Sequence, residues 1–285
     1  MVHDIMPYNH YESEVPSLNL INRVIKLLSM LDGNMFPEST AYLESVAEGV
    51  NEHTQYQMAS ALVECDKPKV FPFYLVQFIV ELYEAEINEG NHYAMNDLGA
   101  RYYCGDRGFE QSFEKAVYYY NMAAQRGNRQ AQENLGYCYY YGRDMDVDYE
   151  KAFQYFALGA FDGHLISLYK IGDMYLNGYY VEKNETEAFI IYSRCLSTMT
   201  DEAAKSVAGP VHLRLGNMYL QGIGTDKDAE RALAHYNAAE YFLFKMVKDG
   251  DYMYKKSLAA AIEGQGKARK LLMEQLPEDE WTFDD

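Results

Sequence analysis

The sequence predicts an all-α protein, a right-handed α/α superhelical solenoid of helix–turn–helix repeats. Three observations predict this fold. A ten-residue motif occurs four times, a second motif follows each copy at a nearly constant distance, and both motifs have the spacing of amphipathic helices. Because one helical hairpin cannot bury its own apolar face, we expect successive hairpins to stack around a continuous core.

The first motif reads Leu or Ile, then Gly, two residues, Tyr, two residues and a second Gly. In ENLGYCYYYG, Leu135 and Tyr139 are four residues apart and share one helix face. Gly136 has no Cβ, so a neighbouring helix can come close, and Gly142 suits the left-handed position that ends a helix. The motif predicts the first helix of each repeat, at 96–105, 133–142, 169–178 and 213–222.

The second motif predicts the second helix of each repeat. It begins with a residue that caps helix N-termini, and an acidic residue follows in the first turn, where it stabilises the helix dipole. The four capping residues are Ser112, Asp148, Asn184 and Asp228. The first glycines of successive repeats are 37, 36 and 44 residues apart. We expect the eight additional residues of the third repeat to lengthen its second helix or to enlarge the following loop.

Together the two motifs resemble the Sel-one-like repeat (SLR) family, a relative of the tetratricopeptide repeats. The unit of that family, LGxxYxxGxGVxxDxxKAxxWYxKAAxQG, is similar to LGNMYLQGIGTDKDAERALAHYNAAE, which starts at Leu215. The resemblance implies a non-enzymatic scaffold or adaptor that binds a protein or peptide. It also implies that the first helices of the repeats line a concave groove.

The sequence divides into four segments. Residues 1–69 predict an N-terminal helical cap, whose helices are separated at DGNMFPES and EGVNEHT. Residues 70–250 predict the repeat array, with four clear repeats from about residue 94 and one degenerate repeat before them. Residues 251–276 predict C-terminal capping helices, and 277–285 form an acidic tail.

The charge of the chain limits the classes of partner. It has 25 Lys and Arg against 43 Asp and Glu, a net charge of −18. Such a surface repels phosphate backbones and anionic lipids, so we expect neither nucleic acid nor a membrane as partner, and a basic protein or peptide is allowed. The first residues do not have the pattern of a secretion signal, and the cytoplasm is the expected location. Homo-oligomerisation stays an open alternative.

The sequence patterns of common catalytic and ligand sites are not found, so we predict no catalytic residue, no cofactor and no metal. Residues 144–150 begin like a calcium loop, but Tyr149 stands where that loop needs glycine. The two GxG pairs, at 222–224 and 264–266, follow no strand and are interpreted as helix ends. The cysteines are far apart and are expected to be reduced thiols, buried in helices: Cys65, Cys104, Cys138 and Cys195.

The candidate binding residues flank the LGxxY stripe, which by the family resemblance places them in the groove. Tyr137, Tyr140 and Tyr141 lie with Glu133 on one stripe of the first helix, distinct from the stripe of Leu135 and Tyr139. Tyrosine rings beside Asn, Asp and Glu suit peptide recognition, because they offer a large area with few rotatable bonds. The predicted groove residues are Asn96, Tyr103, Glu133, Tyr137, Tyr140, Tyr141, Tyr169, Asp173, Asn177, Asn217 and Gln221.

Two alternatives stay open for this stripe. Its rings could instead pack between helices, as Tyr139 is expected to do because it recurs as Tyr102, Tyr175 and Tyr219. The same groove could also belong to an enzyme or to a protein that binds small molecules or cell-wall ligands. Active sites assemble in space, so the sequence motifs alone do not decide between these classes.

Overall fold

The computed structural model of the chain describes residues 18–49, 53–67 and 69–275. Within these ranges the chain folds into thirteen α-helices and one short 3₁₀-helix, without a β-strand. None of the described helices is long and apolar enough to cross a bilayer. The chain forms two compact units, unit 1 up to Gln132 and unit 2 from Glu133. The predicted all-α class is confirmed.

The helices of unit 1 are α1 (Leu18–Leu28), α2 (Pro37–Ala47), α3 (Gln55–Glu64), α4 (Phe73–Asn88), α5 (His92–Cys104) and α6 (Phe113–Gln125). Helix α7 (Arg129–Tyr141) contains the boundary. Unit 2 continues with α8 (Tyr149–Phe161), α9 (Leu165–Asn177), α10 (Glu185–Ser197), α11 (Asp201–Gln221), α12 (Ala229–Lys248), the 3₁₀-helix Tyr252–Tyr254 and α13 (Lys255–Gln275). Each repeat is a hairpin of two consecutive helices, namely α5/α6, α7/α8, α9/α10 and α11/α12.

Two of the helices that precede the repeats, α2 and α3, have side chains that satisfy their N-termini. Helix α2 begins at Pro37, whose fixed φ suits the first helical position. The carboxylate of Asp66 accepts hydrogen bonds from the backbone N–H groups of Glu38 and Ser39, at 3.1 and 2.9 Å. Helix α3 begins with a capping box, in which Thr54 pairs with Gln57. These caps fix the start of both helices.

The second helices of the four repeats start at the predicted caps. Each capping side chain accepts a hydrogen bond from the backbone N–H three residues later, and these caps are Ser112, Asp148, Asn184 and Asp228. The first helices end as predicted too, because Gly142 has a φ of +64°. Both motifs therefore mark real helix boundaries.

The first glycine of each repeat lets an aromatic ring of the second helix lie against the first helix. A Cβ added at Gly172 would lie 2.7 Å from Cε1 of Tyr192, which is closer than real Cβ atoms come. The other three repeats have the same contact at 2.9 Å, in the pairs Gly99–Tyr120, Gly136–Phe156 and Gly216–Tyr236. The close approach of these rings explains why the motif needs glycine inside a helix, where it normally costs about 1 kcal/mol.

The eight additional residues of the third repeat are not where we expected them. Helix α10 keeps the 13-residue length of the other second helices, whereas α11 has 21 residues. The additional length is therefore at the start of the next first helix, at residues 201–208, directly before Gly209 and Pro210. Helix α12 is also long, with 20 residues, and its Leu243 packs on Gly209. The longer helix thus has a longer partner.

Residues 251–275, which the sequence predicts as C-terminal capping helices, form the 3₁₀-helix Tyr252–Tyr254 and α13. Two further expectations need correction. The glycines of the 264–266 pair lie inside α13, although Gly222 does follow the end of α11 with a φ of +72°. Two cysteines are not buried, since Cys104 is exposed and Cys65 is half-buried at the end of α3. The acidic tail 277–285 and the start of the predicted cap, 1–17, lie outside the described residues.

Candidate functional site

In unit 2, the predicted stripe residues of α7 and α9 meet around one lysine. Lys170 follows Tyr169 in α9 and is only 4% exposed. Its Nζ lies between 5.0 and 5.5 Å from four ring centroids, those of Tyr137, Tyr140, Tyr141 and Tyr169. We call these four tyrosines and Lys170 the Lys170 cluster. The rings attract the ammonium group by cation–π interaction, which compensates part of its lost hydration.

Lys170 also has two polar partners. Its Nζ donates a hydrogen bond to the hydroxyl of Tyr141 at 2.9 Å and lies 3.5 Å from Oδ2 of Asp173. Asp173 is one turn further along α9, so the pair is the i, i+3 neighbour contact of a helix. A buried ammonium ion needs such partners, because the charge is otherwise strongly unfavourable in a protein interior.

The three tyrosines that were singled out in α7 have different environments. Tyr137 meets the ring of Phe156 edge to face at 5.3 Å, and its hydroxyl lies 3.4 Å from that of Tyr169. Tyr140 is half-buried. It makes edge-to-face contacts with two rings of α8 and with Tyr179 in the loop after α9. Tyr141 is 46% exposed and stacks on Tyr137 at 6.2 Å. Of the three, Tyr141 presents most ring surface to solvent.

Asp173 is the buried centre of a second network, which joins α9, α10 and α11. Arg214 binds its carboxylate through Nε and through Nη2, the latter at 2.7 Å, and the hydroxyl of Tyr192 donates to Oδ1 at 2.7 Å. Burial raises the pKa of Asp173, but the charge and hydrogen bonds of Arg214 outweigh it and hold this pKa below its usual value. Asp173 is therefore a permanent anion at neutral pH.

Arg214 links this network to the aromatic rings. Its guanidinium carbon lies 5.0 Å from the ring centroid of Tyr169 and 5.9 Å from that of Tyr192. The side chain of Arg214 keeps a partial exposure of 25%. Lys170 and Arg214 together carry two positive charges against one negative charge on Asp173, so this network has one positive charge in excess within a chain of −18.

The remaining predicted residues of unit 2 lie at different places. Asn217 accepts a hydrogen bond from the hydroxyl of Tyr236 at 2.7 Å, and Asn177 donates to the backbone carbonyl of Asp173 at 2.7 Å. Asn177, Asn217 and Gln221 are exposed. Glu133 is buried and has Nδ1 of His164 at 3.1 Å from its Oε2. Glu133 is thus part of the helix packing, whereas the three amides face solvent.

The two predicted residues of unit 1 pack within that unit. Asn96 is buried, and its amide donates to Oδ1 of Asp97 at 3.0 Å. Tyr103 is half-buried, and its ring contacts Phe113 at 5.3 Å and Tyr120 at 6.5 Å. The sequence pattern is therefore repeated in both units, but the Lys170 cluster belongs to unit 2.

The sequence stripe missed Lys170 and Arg214, which are central to the site. Both residues stand two positions before the repeat glycine, in YKIGD and LRLGN. That position is three residues before Asp173 in α9, and i, i+3 residues lie on one helix face. A basic residue at this place in two successive repeats is the signal that could have identified them.

Burial changes the pKa values of thiols and phenols in α7 and α10. Burial raises the pKa of the Cys138 and Cys195 thiols to about 12, so both are protonated at neutral pH. Burial also raises the pKa of the Tyr137 and Tyr140 phenols above the usual value. No group of three or more His, Cys, Asp or Glu suited to a metal ion occurs among the described residues. The arrangement offers an exposed ring, a guanidinium group and amides.

Comparison with known proteins identifies the repeats. The Sel1 repeat matches residues 92–128, 129–164, 165–194 and 211–241. Mouse protein sel-1 homolog 2 is 31% identical over 130 residues, which are 46% of this chain and 19% of that protein. The Arabidopsis thaliana ERAD-associated E3 ubiquitin-protein ligase component HRD3B is 33% identical over 109 residues, 38% of this chain and 17% of that protein. The chain therefore spans less than a fifth of the length of either relative.

Two solved structures share the fold. A protective antigen of uropathogenic Escherichia coli with an SLR fold has a TM-score of 0.52 and 17% identity, covering 88% of this chain and 56% of that one. A Sel1 repeat protein of Oxalobacter formigenes has a TM-score of 0.50 and 19% identity, covering 90% and 91%. These likenesses show the SLR solenoid fold. The four matched segments therefore identify residues 92–241 as an array of Sel1 repeats.

Proposed function

We propose that the chain is a non-enzymatic scaffold or adaptor, and that it binds a protein or peptide segment on unit 2 beside the Lys170 cluster. The Sel1 repeats support an interaction role, because relatives with this repeat include a named component of a ubiquitin-ligase complex. Stacked helical repeats commonly offer extended binding surfaces. We propose the cytoplasm as its location, which the absence of a disulfide among the four cysteines of the described residues supports.

One observation carries this proposal: Lys170 and Tyr137 hold the exposed ring of Tyr141 in place. The buried Lys170 donates to its hydroxyl, and Tyr137 stacks on its inner face. An exposed aromatic side chain with fixed rotamers loses little conformational entropy when it binds a partner. Such preorganised rings are typical of residues that dominate binding energy at interfaces.

Polar side chains on the next two first helices, α9 and α11, favour a particular kind of segment. Arg214 and the exposed amides Asn177, Asn217 and Gln221 can bond to the carbonyl groups of an extended peptide or to an acidic side chain. The basic partner suggested by the acidic composition gains no support here, since the network carries one excess positive charge. We therefore propose an apolar or aromatic side chain on Tyr141, flanked by carbonyl or carboxylate groups.

The test compares two exposed aromatic residues of unit 2. Tyr141→Ala removes the proposed contact, and Phe161→Ala removes a ring that is 92% exposed on α8, outside the cluster. Proteins recovered with the wild-type chain by affinity purification are identified, and their dissociation constants are measured with purified components. We expect Tyr141→Ala to weaken binding by at least about tenfold, a value typical of an interface hot spot, and Phe161→Ala to leave it unchanged.

Thermal unfolding of both variants is the control for folding. Phe161→Ala should leave the melting temperature close to that of the wild type. Tyr141→Ala also removes the hydroxyl that accepts from the buried Lys170, so we expect it to lower the melting temperature while the chain stays folded. If the purified partner binds Tyr141→Ala as tightly as the wild type, its binding site is elsewhere and the proposal is wrong.

A further inference from the structure

Two tyrosines of unit 2, Tyr149 and Tyr179, lie ring on ring, and the proposed function does not use this pair. Their ring planes differ by 2° and their centroids are 4.3 Å apart. Tyr149 is the first residue of α8, in the second repeat, and Tyr179 follows Gly178, the C-cap of α9 in the third repeat. The pair therefore joins two successive repeats through residues that are 30 positions apart in the sequence.

The two phenol groups of this pair point the same way. Burial, followed by the charge and hydrogen bonding of the Tyr179 hydroxyl, raises the pKa of the Tyr149 phenol. The two hydroxyl groups therefore lie at the same end of the stack. Because the rings are parallel, the Cε carbons beside each hydroxyl also lie close to their counterparts in the other ring. Both residues are half-buried, so the phenols can still exchange protons with water.

This close pair belongs to one junction of the array. Other stacked tyrosine pairs are further apart, with centroid distances of 5.8 Å for Tyr139–Tyr155 and 5.9 Å for Tyr102–Tyr119. At the neighbouring junctions, the positions of Tyr149 and Tyr179 carry other residues, namely Phe113 with Arg143, and Glu185 with Ile223. The pair is thus not a general property of the repeat.

We propose that Tyr149 and Tyr179 are a site of oxidative cross-linking, at which a one-electron oxidant joins the two rings as dityrosine. Each phenol gives one electron to the oxidant and one proton to water, and the two radicals form a carbon–carbon bond between their Cε atoms. The hydrogens on these two carbons then leave as protons while the oxygens regain protons, which restores both phenols. Hydrogen peroxide acting through a haem peroxidase is a suitable oxidant, since it takes up the two electrons and two protons and becomes water.

The bond connects the start of α8 to the segment after α9. A covalent link across about 30 residues restricts the unfolded chain, as a disulfide of that span does, and so stabilises the native state. The ring of Tyr140 meets both rings edge to face, at 5.6 and 5.9 Å, and it directly precedes the exposed Tyr141. The cross-link therefore fixes the packing beside Tyr141.

Photo-oxidation of the purified chain tests the proposal. Visible light excites tris(bipyridine)ruthenium(II), persulfate accepts an electron from it, and the ruthenium(III) complex then takes one electron from a phenol. The reaction is run on dilute protein, and the monomer is isolated by size exclusion in denaturant and digested. Mass spectrometry then locates peptide pairs that have lost two hydrogen atoms. We expect the Tyr149–Tyr179 cross-link to be the main product within the monomer, together with dityrosine fluorescence.

Conservative variants separate this pair from other tyrosines. Tyr149→Phe and Tyr179→Phe keep the stacked ring but form no phenoxyl radical at that position, so each should remove most of the dityrosine fluorescence of the monomer. Tyr155→Phe is the matched control, because it removes one phenol from a stacked pair at 5.8 Å, and it should leave the fluorescence unchanged. Circular dichroism checks that all three variants are folded.

Three results would overturn the proposal. The first is an oxidised wild-type monomer without dityrosine. The second is dityrosine fluorescence that both Tyr149→Phe and Tyr179→Phe retain, because other tyrosines would then be the ones that react. The third is an equal yield of the Tyr149–Tyr179 cross-link when the chain is oxidised in concentrated urea, because the reaction would then not depend on the native ring contact.

Discussion

The hydroxyl of Tyr192 donates a hydrogen bond to Oδ1 of Asp173, with 2.7 Å between the oxygens. The next repeat has the same link between Tyr236 and Asn217, also at 2.7 Å and also 19 positions apart. In the repeat where Phe156 replaces the tyrosine, the residue after the glycine is Tyr137, and the two rings meet edge to face. In these three repeats, the residue that follows the repeat glycine is thus matched to the chemistry of the ring it meets.

The first prediction concerns the two ends of the Tyr192–Asp173 hydrogen bond. Asp173→Ala leaves Arg214 and Lys170 as buried charges without their anion, so we expect it to lower the free energy of unfolding by about 3–5 kcal/mol. Tyr192→Phe removes one hydrogen bond and leaves the ion pair, so we expect a loss of about 1 kcal/mol. Urea denaturation measures both. Equal losses of stability in the two variants would contradict this prediction, because the carboxylate of Asp173 would then contribute no more than one hydrogen bond.

The second prediction uses two helical glycines with opposite surroundings. Gly172→Ala places a Cβ 2.7 Å from the Tyr192 ring, and we expect a net destabilisation of about 1–3 kcal/mol from overpacking. Gly266→Ala meets no atom within 4 Å and should stabilise the chain by about 0.5–1 kcal/mol, because alanine favours the helix. Chemical denaturation under identical conditions provides the comparison. A stabilising Gly172→Ala would contradict the close contact.

The third prediction concerns pH. Nδ1 of His212 lies 2.9 Å from Nδ1 of His235, and burial, followed by the charge of His235, lowers the pKa of His212 to about 4. An unfolded histidine titrates near about 6.5, so between these values the unfolded state binds the additional proton. Stability should therefore be complete above about pH 6.5 and should fall as the pH decreases toward about 4.5.

The control for this pH dependence is the double variant His212→Gln/His235→Gln, which keeps polar side chains but removes both titrating groups. Its melting temperature should change less between pH 6.5 and 4.5 than that of the wild type, over a range above the lowered pKa of Asp173. Parallel curves for the two proteins would mean that other groups cause the acid sensitivity.

The fourth prediction concerns the thiols. Cys104 is exposed at the end of α5, whereas Cys138 and Cys195 are buried and have pKa values of about 12. The thiolate is the reactive form, so alkylation of the native protein at mild pH should modify Cys104 first. Mass spectrometry after a time course locates the modified residue. The Cys104→Ser variant should lose the fast phase of alkylation. If the variant keeps the fast phase, another cysteine is the most reactive one.

Most of the repeat could be predicted from the sequence because its causes are local. The caps at Asp148 and Asp228 act on N–H groups three residues away, and Gly142 ends its helix through its own backbone conformation. Such features need no knowledge of distant contacts. Recurrence in a fixed register then distinguishes these signals from chance.

The long α11 and the buried Lys170 could not be predicted in this way. Gly209 and Pro210 read locally as a helix break, but the helix continues because its first turns pack against the long α12. Lys170 is a charged residue that sequence alone places at the surface, and rings from α7 and Asp173 within α9 allow its burial. In both cases residues far apart in sequence decide the outcome.

The matched lengths of α11 and α12 have a consequence for how such an array can change. Added residues in one helix alone would leave an apolar end without cover, whereas elongation of both members gives each new turn a neighbour. Leu243, in the added end of α12, packs on Gly209, which directly follows the added turns of α11. One repeat can thus have two longer helices while the other repeats keep their length. Repeat proteins of this kind can therefore differ in the length of a single hairpin as well as in the number of repeats.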